Sequence, residues 1–379
     1  MNILIDFTQI PIERTGVGVY ADHLLRELLP LLESTDRLIV LAQNDDAGLK
    51  DQLSGQVRVT LLTIPAWLFR QRAALLVFEQ TVLLWLLFRH QVQVVHSLHY
   101  TYPLLASCAR AVTIHDSTFT LFPELHTCGR RLLFPFFTRR ALKNAECPIF
   151  VSESTQGDAE RLFGACRHRA HVIPLGVEPG PVMVPDSADG DFVLPAVTPP
   201  YLLFVGTLEP RKNIVRIIRA FEEIAAEHPQ QKLILAGKLG WHTEEIVSAM
   251  EGSPFRKRIM HLGFVTERQK RALLHSCEIL VYPSLYEGFG LPVLEAMAQG
   301  APVITSSVSS LPEVAGDAAI LVDPSATCEI ATAIDRLLRD DALRATLKKA
   351  GLARAAELTW RRTATSTYAA YLETVTRQL

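Results

Sequence analysis

Cysteine is scarce in this 379-residue chain: Cys108, Cys128, Cys147, Cys166, Cys277 and Cys328 are scattered, with no C-x-x-C pair and no histidine at zinc-finger spacing. That excludes a disulfide framework or a zinc ribbon and reads as reduced, mostly packing thiols of a cytosolic protein. Basic excess is also missing. The net charge of -2 argues against a general nucleic-acid binder, so any basic surface must be local. No apolar run reaches the roughly 20 residues of a spanning helix. The nearest, "AALLVFEQTVLLWLLF" from Ala73 to Phe88, carries Glu79 and Gln80 and reads as a buried or interfacial helix. The opening "MNILIDFTQIP" has no basic leader and runs straight into strand-like alternation, which is not the pattern of a signal peptide. Short repeats and low-complexity tracts are absent.

What is present is an alternation. Short apolar runs recur between helical patterns: "NILIDF", "RLIVLA", "VRVTLL", "VQVVH", "AVTIHD", "PIFVS" and "AHVIPLG" in the first half, then "YLLFVGT", "KLILAG", "IMHLGF", "EILVYPS", "APVITS" and "AAILVD" in the second. Strands that recur between helices imply a parallel α/β sheet covered on both faces. The chain is longer than one core usually supports, and the pattern breaks over residues 178–200, rich in Pro, Gly and Asp. The expected organisation is two doubly wound, Rossmann-like domains, 1–177 and 201–357, joined by a linker at 178–200. A helix over 358–379 follows, with Trp360, Tyr368 and Tyr371 as packing anchors. Ligands of such sheets sit at the carboxyl ends of the strands, so the expected site is the cleft between the two domains.

Residues 286–300, "YEGFGLPVLEAMAQG", set Glu287 and Glu295 eight positions apart around Gly288, Phe289, Gly290, Leu291 and Pro292. Proline suits the first turn of a helix, which leaves Glu287 in the loop above it and Glu295 on its first turns. A helix N-terminus offers unpaired N–H groups, and glycines admit a ligand close to the backbone. A carboxylate can accept from both hydroxyls of a vicinal diol. Alone, such a pair is more often two solvated surface residues; the neighbouring letters alter that balance.

Residues 283–324, "PSLYEGFGLPVLEAMAQGAPVITSSVSSLPEVAGDAAILVDP", resemble the donor-binding segment of the family 4 retaining glycosyltransferases. The resemblance implies the GT-B fold, with the C-terminal helix returning to the N-terminal domain. It implies that Glu295 binds the nucleotide ribose and that Glu287 lies against the donor sugar with the Gly288–Gly290 backbone. "FVGTLEPRKN", residues 204–213, is strand, turn and basic pair, suited to a diphosphate leaving group. By the resemblance, Gly206 and Thr207 lie at the donor and Lys212 matches the pyrophosphate-binding lysine. Many members carry an arginine where this chain has Thr207, which leaves Arg211 to supply the second charge.

"ERTGVGVYADHLLREL" places Gly16 and Gly18 before an amphipathic helix; G-x-G alone marks a tight turn as readily as a ligand loop, and the resemblance makes it the phosphate-facing loop. "AVTIHDSTF" puts His115 and Asp116 at the end of a strand. A histidine there is often structural, but the family has one close to the reacting sugar, with Asp116 as support or an acceptor-side contact. "VSESTQGD" and "VIPLGVE" place Ser152, Glu153 and Gly176 along the cleft, a helix-cap role for Ser152 being equally open.

The implied reaction is transfer of a hexose, mannose from GDP-mannose being favoured, to a hydroxyl of a glycan or lipid-linked glycan. Retention follows front-face attack, in which the departing phosphate takes the acceptor's proton, so no enzymic nucleophile and no cofactor are assigned. The triplet Asp189-Gly190-Asp191 has the D-x-D form of metal-dependent glycosyltransferases but falls in the linker, and no metal is assigned to it. Two rivals stay open: a sugar-nucleotide epimerase, which would convert donor without acceptor, and a non-catalytic nucleotide-sugar-binding protein. Finally, "GRRLLFPFFTRRALKN", residues 129–144, interleaves five basic residues with Leu and Phe and has no acid. It suits either an anionic membrane surface or a helix with a solvated basic face. The expected location is cytoplasmic, with peripheral attachment to the inner face of the membrane as an extension.

Overall fold

The computed structural model describes residues 1–70, 72–178, 180 and 197–377. They form two compact units: Met1–Leu175 together with the segment from Trp360, and Gly176–Thr359. Most of 178–200, including the Asp189-Gly190-Asp191 triplet, lies outside the described residues.

The first unit runs β1 (Asn2–Asp6), α1 (Val17–Leu28), β2 (Arg37–Gln43), α2 (Ala47–Leu53), β3 (Val59–Ile64), α3 (Arg72–Gln80), α4 (Val82–Arg89) and β4 (Val94–Ser97). It continues with β5 (Ala109–Ile114), α5 (Thr118–Leu121), α6 (Cys128–Asn144), β6 (Cys147–Phe150), α7 (Glu153–Phe163) and β7 (His171–Val172). The strands form one parallel sheet in the order β3-β2-β1-β4-β5-β6-β7.

The second unit runs β8 (Tyr201–Val205), α8 (Ile214–Ile224), β9 (Lys232–Ala236), α9 (Glu244–Gly252), β10 (Ile259–Gly263), α10 (Glu267–Ser276) and β11 (Ile279–Tyr282). It closes with α11 (Leu291–Ala298), β12 (Val303–Ser306), α12 (Leu311–Ala315), β13 (Ile320–Val322), α13 (Thr327–Arg339) and α14 (Asp341–Glu357). This sheet is also parallel, in the order β10-β9-β8-β11-β12-β13.

Each of the thirteen short apolar runs read from the sequence falls on a strand. The central ones are buried on both faces, β8 along its whole length, which is why they read as continuous apolar stretches rather than alternating ones. Helices carry the complementary pattern: α8 buries Ile214, Ile217, Ile218, Phe221 and Ile224 at helical spacing.

In the first sheet, register places Leu4 beside Val95, and Val112 and Phe150 on the same face. That face is covered by α3 and α4 over one apolar cluster and by α6 over the next. The opposite face carries α1 and the last helix, α15 (Trp360–Thr376), which packs against α1. The aromatic anchors act as expected. The Trp360 ring stacks on His23 with centroids 4.8 Å apart, the Tyr368 hydroxyl donates to Asp36, and the Tyr371 hydroxyl bonds Nδ1 of His96 on β4. This long-range docking returns the C-terminus to the first unit.

One expectation needs correction. The apolar run 73–88 is not a single helix but α3 and α4, broken at Thr81, which leaves helical geometry (φ -133°, ψ -75°). Its interior polar residues cause the break. The Gln80 amide donates to the Tyr102 carbonyl and accepts from Leu104 N–H, both at 2.9 Å, and Glu79 accepts from the Thr101 hydroxyl at 3.0 Å. These bonds pin the run to the loop after β4. Among the described residues no helix is long and apolar enough to cross a membrane.

Candidate functional site

The second unit gathers three of the expected residues at the carboxyl ends of β8 and β11. After β8 the chain passes Gly206 and Thr207, makes a short 3₁₀ turn at Pro210–Lys212, and enters α8 through Asn213 in the left-handed region (φ 64°). Asparagine tolerates that geometry, and its amide donates to the carbonyls of Pro283 (2.9 Å) and Pro324 (2.7 Å). The Arg211 carbonyl accepts from Leu285 N–H at 2.9 Å. The basic turn is thereby clamped to the loop that carries Glu287.

Both oxygens of Glu287 meet cations. Lys212 Nζ lies 2.5 Å from Oε1, and Arg211 lies 3.0 Å from Oε2. Tyr282, the last residue of β11, donates its hydroxyl to Oε1 at 3.0 Å and accepts from Lys212 Nζ at 2.7 Å. Arg211 also donates to the Tyr286 carbonyl and to Glu209, both at 2.6 Å. Glu287, Lys212 and Glu209 are all buried, so these charges interact in a low dielectric and need one another. Burial alone would raise the Glu287 carboxyl, but Arg211 and Lys212 outweigh it and hold it at about 2. Burial and the neighbouring Arg211 push the Lys212 ammonium down, with Glu287 and Glu209 opposing.

Beyond Glu287 the loop is held from beneath by the segment before α12. Ser309 accepts from Glu287 N–H at 3.0 Å, and Ser310 donates to the carbonyls of Glu287 (2.9 Å) and Phe289 (2.8 Å). Gly290 caps α11 at φ 107°, where a Cβ would also lie 2.6 Å from Leu311 Cδ2, so only glycine fits. Leu291 and Pro292 start the helix and Glu295 lies one turn further on. Glu295 is half-buried and ion-paired with Lys270 of α10 at 2.7 Å, apart from the Glu287 cluster. Lys270 is in turn shared with Glu267 at 2.8 Å.

The first unit places His115, Asp116, Ser152 and Glu153 just after strands. Gly16 is the N-cap of α1 at φ 47°, whereas Gly18, expected before the helix, is its second residue, with ordinary backbone; a Cβ there would meet Arg14 Cδ at 3.1 Å. His115 follows β5 and is buried; its Nε2–H donates to the Leu98 carbonyl at 2.9 Å, which leaves Nδ1 the acceptor nitrogen. Its ring stands edge-on to Tyr20 of α1 at 5.3 Å. Burial lowers its pKa, with the Leu98 carbonyl and Asp116 opposing, so it is neutral at pH 7. Asp116 accepts from Thr118 N–H (2.9 Å) and hydroxyl (2.7 Å). Ser152 caps α7, accepting from Thr155 N–H at 3.0 Å, with Glu153 the first helical residue. These last contacts are structural in kind.

Sequence reading missed Tyr282, Asn213, Ser309, Ser310 and Lys270. Asn213 and Tyr282 adjoin the motifs that were read, but Lys270 carried no local signal.

Two family models match the chain: "Glycosyltransferase Family 4" over residues 14–180 and "Glycosyl transferases group 1" over residues 190–354. The O-antigen chain mannosyltransferase B of Escherichia coli is 33% identical over 277 residues, 69% of this chain and 70% of that protein. The serotype-specific mannosyltransferase WbdA of Escherichia coli is 36% identical over 167 residues, 43% of this chain but 20% of its own length. Among solved structures, sucrose-phosphate synthase from Thermosynechococcus elongatus superposes with a TM-score of 0.75 at 20% identity, over 98% of both chains. That likeness is one of fold, and the fold is GT-B.

Proposed function

The chain belongs to the family 4 glycosyltransferases, and on that premise we propose that it transfers mannose from GDP-mannose to a hydroxyl of a glycan or lipid-linked glycan, with retention, in the assembly of a surface polysaccharide. The observation that carries the choice of mannose is the 33% identity to an O-antigen mannosyltransferase across about two thirds of both chains.

The barrier is departure of a diphosphate from an oxocarbenium-like carbon. Charge grows on the leaving phosphate, and Lys212 and Arg211 supply fixed positive charge for it. Glu287, with both oxygens on those cations, orients them at the edge of the donor sugar. A carboxylate so engaged is a poor nucleophile, which supports front-face attack with the acceptor proton passing to the departing phosphate. The N–H groups around Gly206, Thr207 and Gly288–Leu291 line the donor, and Glu295 takes the ribose diol. In the first unit, Gly16 and Gly18 are assigned to a phosphate, His115 to a sugar hydroxyl, and Asp116, Ser152 and Glu153 to the support of the acceptor side. Residues 129–144 meet an anionic bilayer that carries the acceptor. Nothing in this scheme calls on a metal ion.

Calorimetric binding of GDP, UDP and ADP in EDTA tests the donor, with Glu295→Ala as control. Tight binding of GDP, lost in the variant, is the expected result. Tight binding of UDP instead would overturn the choice of GDP-mannose.

A further inference from the structure

The apolar run broken at Thr81 has an unusual outcome. Helix α4 is apolar on every side up to its last residue, Arg89. Leu83 and Leu87 are buried against the sheet, while Val82, Trp85 and Phe88, spaced three apart along the outward face, are 45%, 61% and 78% exposed. A helix with no polar face belongs in a core or against lipid, and a contiguous exposed apolar ridge of this kind marks an interaction surface.

Helix α6 lies on the same face of the same sheet. Its inner residues Phe134 and Phe137 share a cluster against which Leu76 of α3 packs. On the outward side Leu132 and Phe136 are 78% and 45% exposed. They alternate with exposed Arg139, Arg140 and Lys143, the Arg140 guanidinium lying 5.4 Å over the Phe136 ring. Charge selects among possible occupants. There is no Asp or Glu from Thr81 to Ser97 or from His126 to Ala145, while Arg89, Arg130, Arg131, Arg139, Arg140 and Lys143 are all exposed. An apolar ridge bordered by cations, carried on two helices that hold no acid, complements an anionic bilayer rather than the mixed surface of a typical protein partner.

We propose that α4 and α6 together form the bilayer-docking face, with Trp85 and Phe88 of α4 inserted at the headgroup boundary and the α6 cations on lipid phosphates. This rests on the reading that residues 129–144 meet an anionic bilayer, and adds the element that enters it. Two distant parts of the sequence, which separately read as a buried or interfacial helix and a basic amphipathic helix, act as one surface.

The test is flotation of the full chain with vesicles of phosphatidylcholine alone and of phosphatidylcholine with phosphatidylglycerol. Binding is expected only with phosphatidylglycerol, weakened by roughly tenfold or more in W85S/F88S and also in R139E/R140E. The conservative W85F keeps flotation but shows less quenching of tryptophan fluorescence by brominated lipid than the parent, and thermal melts check that each variant folds. Loss of binding in R139E/R140E with none in W85S/F88S would overturn the role of α4 and leave the reading of 129–144 standing. No binding to phosphatidylglycerol by the parent overturns both. Concentration-dependent self-association abolished by W85S/F88S, without vesicle binding, would assign the face to a second copy instead.

Discussion

Lys212 and Glu287, 75 residues apart in sequence, meet at 2.5 Å in the second unit, with the Tyr282 hydroxyl bonded to both. Arg211 closes the other side of the carboxylate. The arrangement holds two cations at the end of β8; on the proposed mechanism, the charge that meets the leaving phosphate is in place before the donor binds.

Replacing Lys212 by methionine keeps the stem and removes the charge. Transfer from the nucleotide sugar should fall by about 10² to 10³ in kcat. A radiolabelled transfer assay at saturating donor checks this, and an unchanged kcat would remove Lys212 from the reaction.

Glu287→Gln leaves the buried Lys212 and half-buried Arg211 without their shared counter-charge, which should cost roughly 3–5 kcal/mol in urea denaturation at neutral pH. The sign of the pH dependence follows from a folded value of about 2 against an ordinary 4.5. The stabilisation is complete above pH 4.5 and is lost as pH falls toward 2. The difference in stability between parent and variant should therefore narrow on acidification.

Lys270→Met should weaken GDP binding by roughly tenfold, because Glu295 loses the ammonium that fixes one of its oxygens. Lys270→Arg should retain most of the affinity. A 2',3'-dideoxy nucleotide, which has no diol to offer, should bind the parent and the methionine variant alike. Calorimetry with both ligands separates a ribose role from general loss of structure.

Tyr371→Phe leaves Nδ1 of the buried His96 without its partner. That should cost about 1–3 kcal/mol and loosen α15 from the first unit, seen as faster amide exchange along Trp360–Thr376. Exchange unchanged from the parent would show that ring packing alone docks the helix.

The sequence by itself determined the strands, the order of helices between them, the location of Glu287 and Lys212 in turns at strand ends, and that of Glu295 on the first turns of the helix that follows. These are legible because burial on both faces of a parallel sheet leaves continuous apolar runs, and because glycine, proline and charge cluster where helices begin. Only the tertiary structure decided that Arg211 and Lys212 converge on Glu287, that Lys270 pairs with Glu295, and that α15 lies on α1. It also decided that residues 73–88 break in two, since Gln80 finds its partners on a loop more than twenty residues away. Such choices depend on which buried polar groups find one another across the fold, and the one-dimensional pattern of apolar and polar residues does not carry that information.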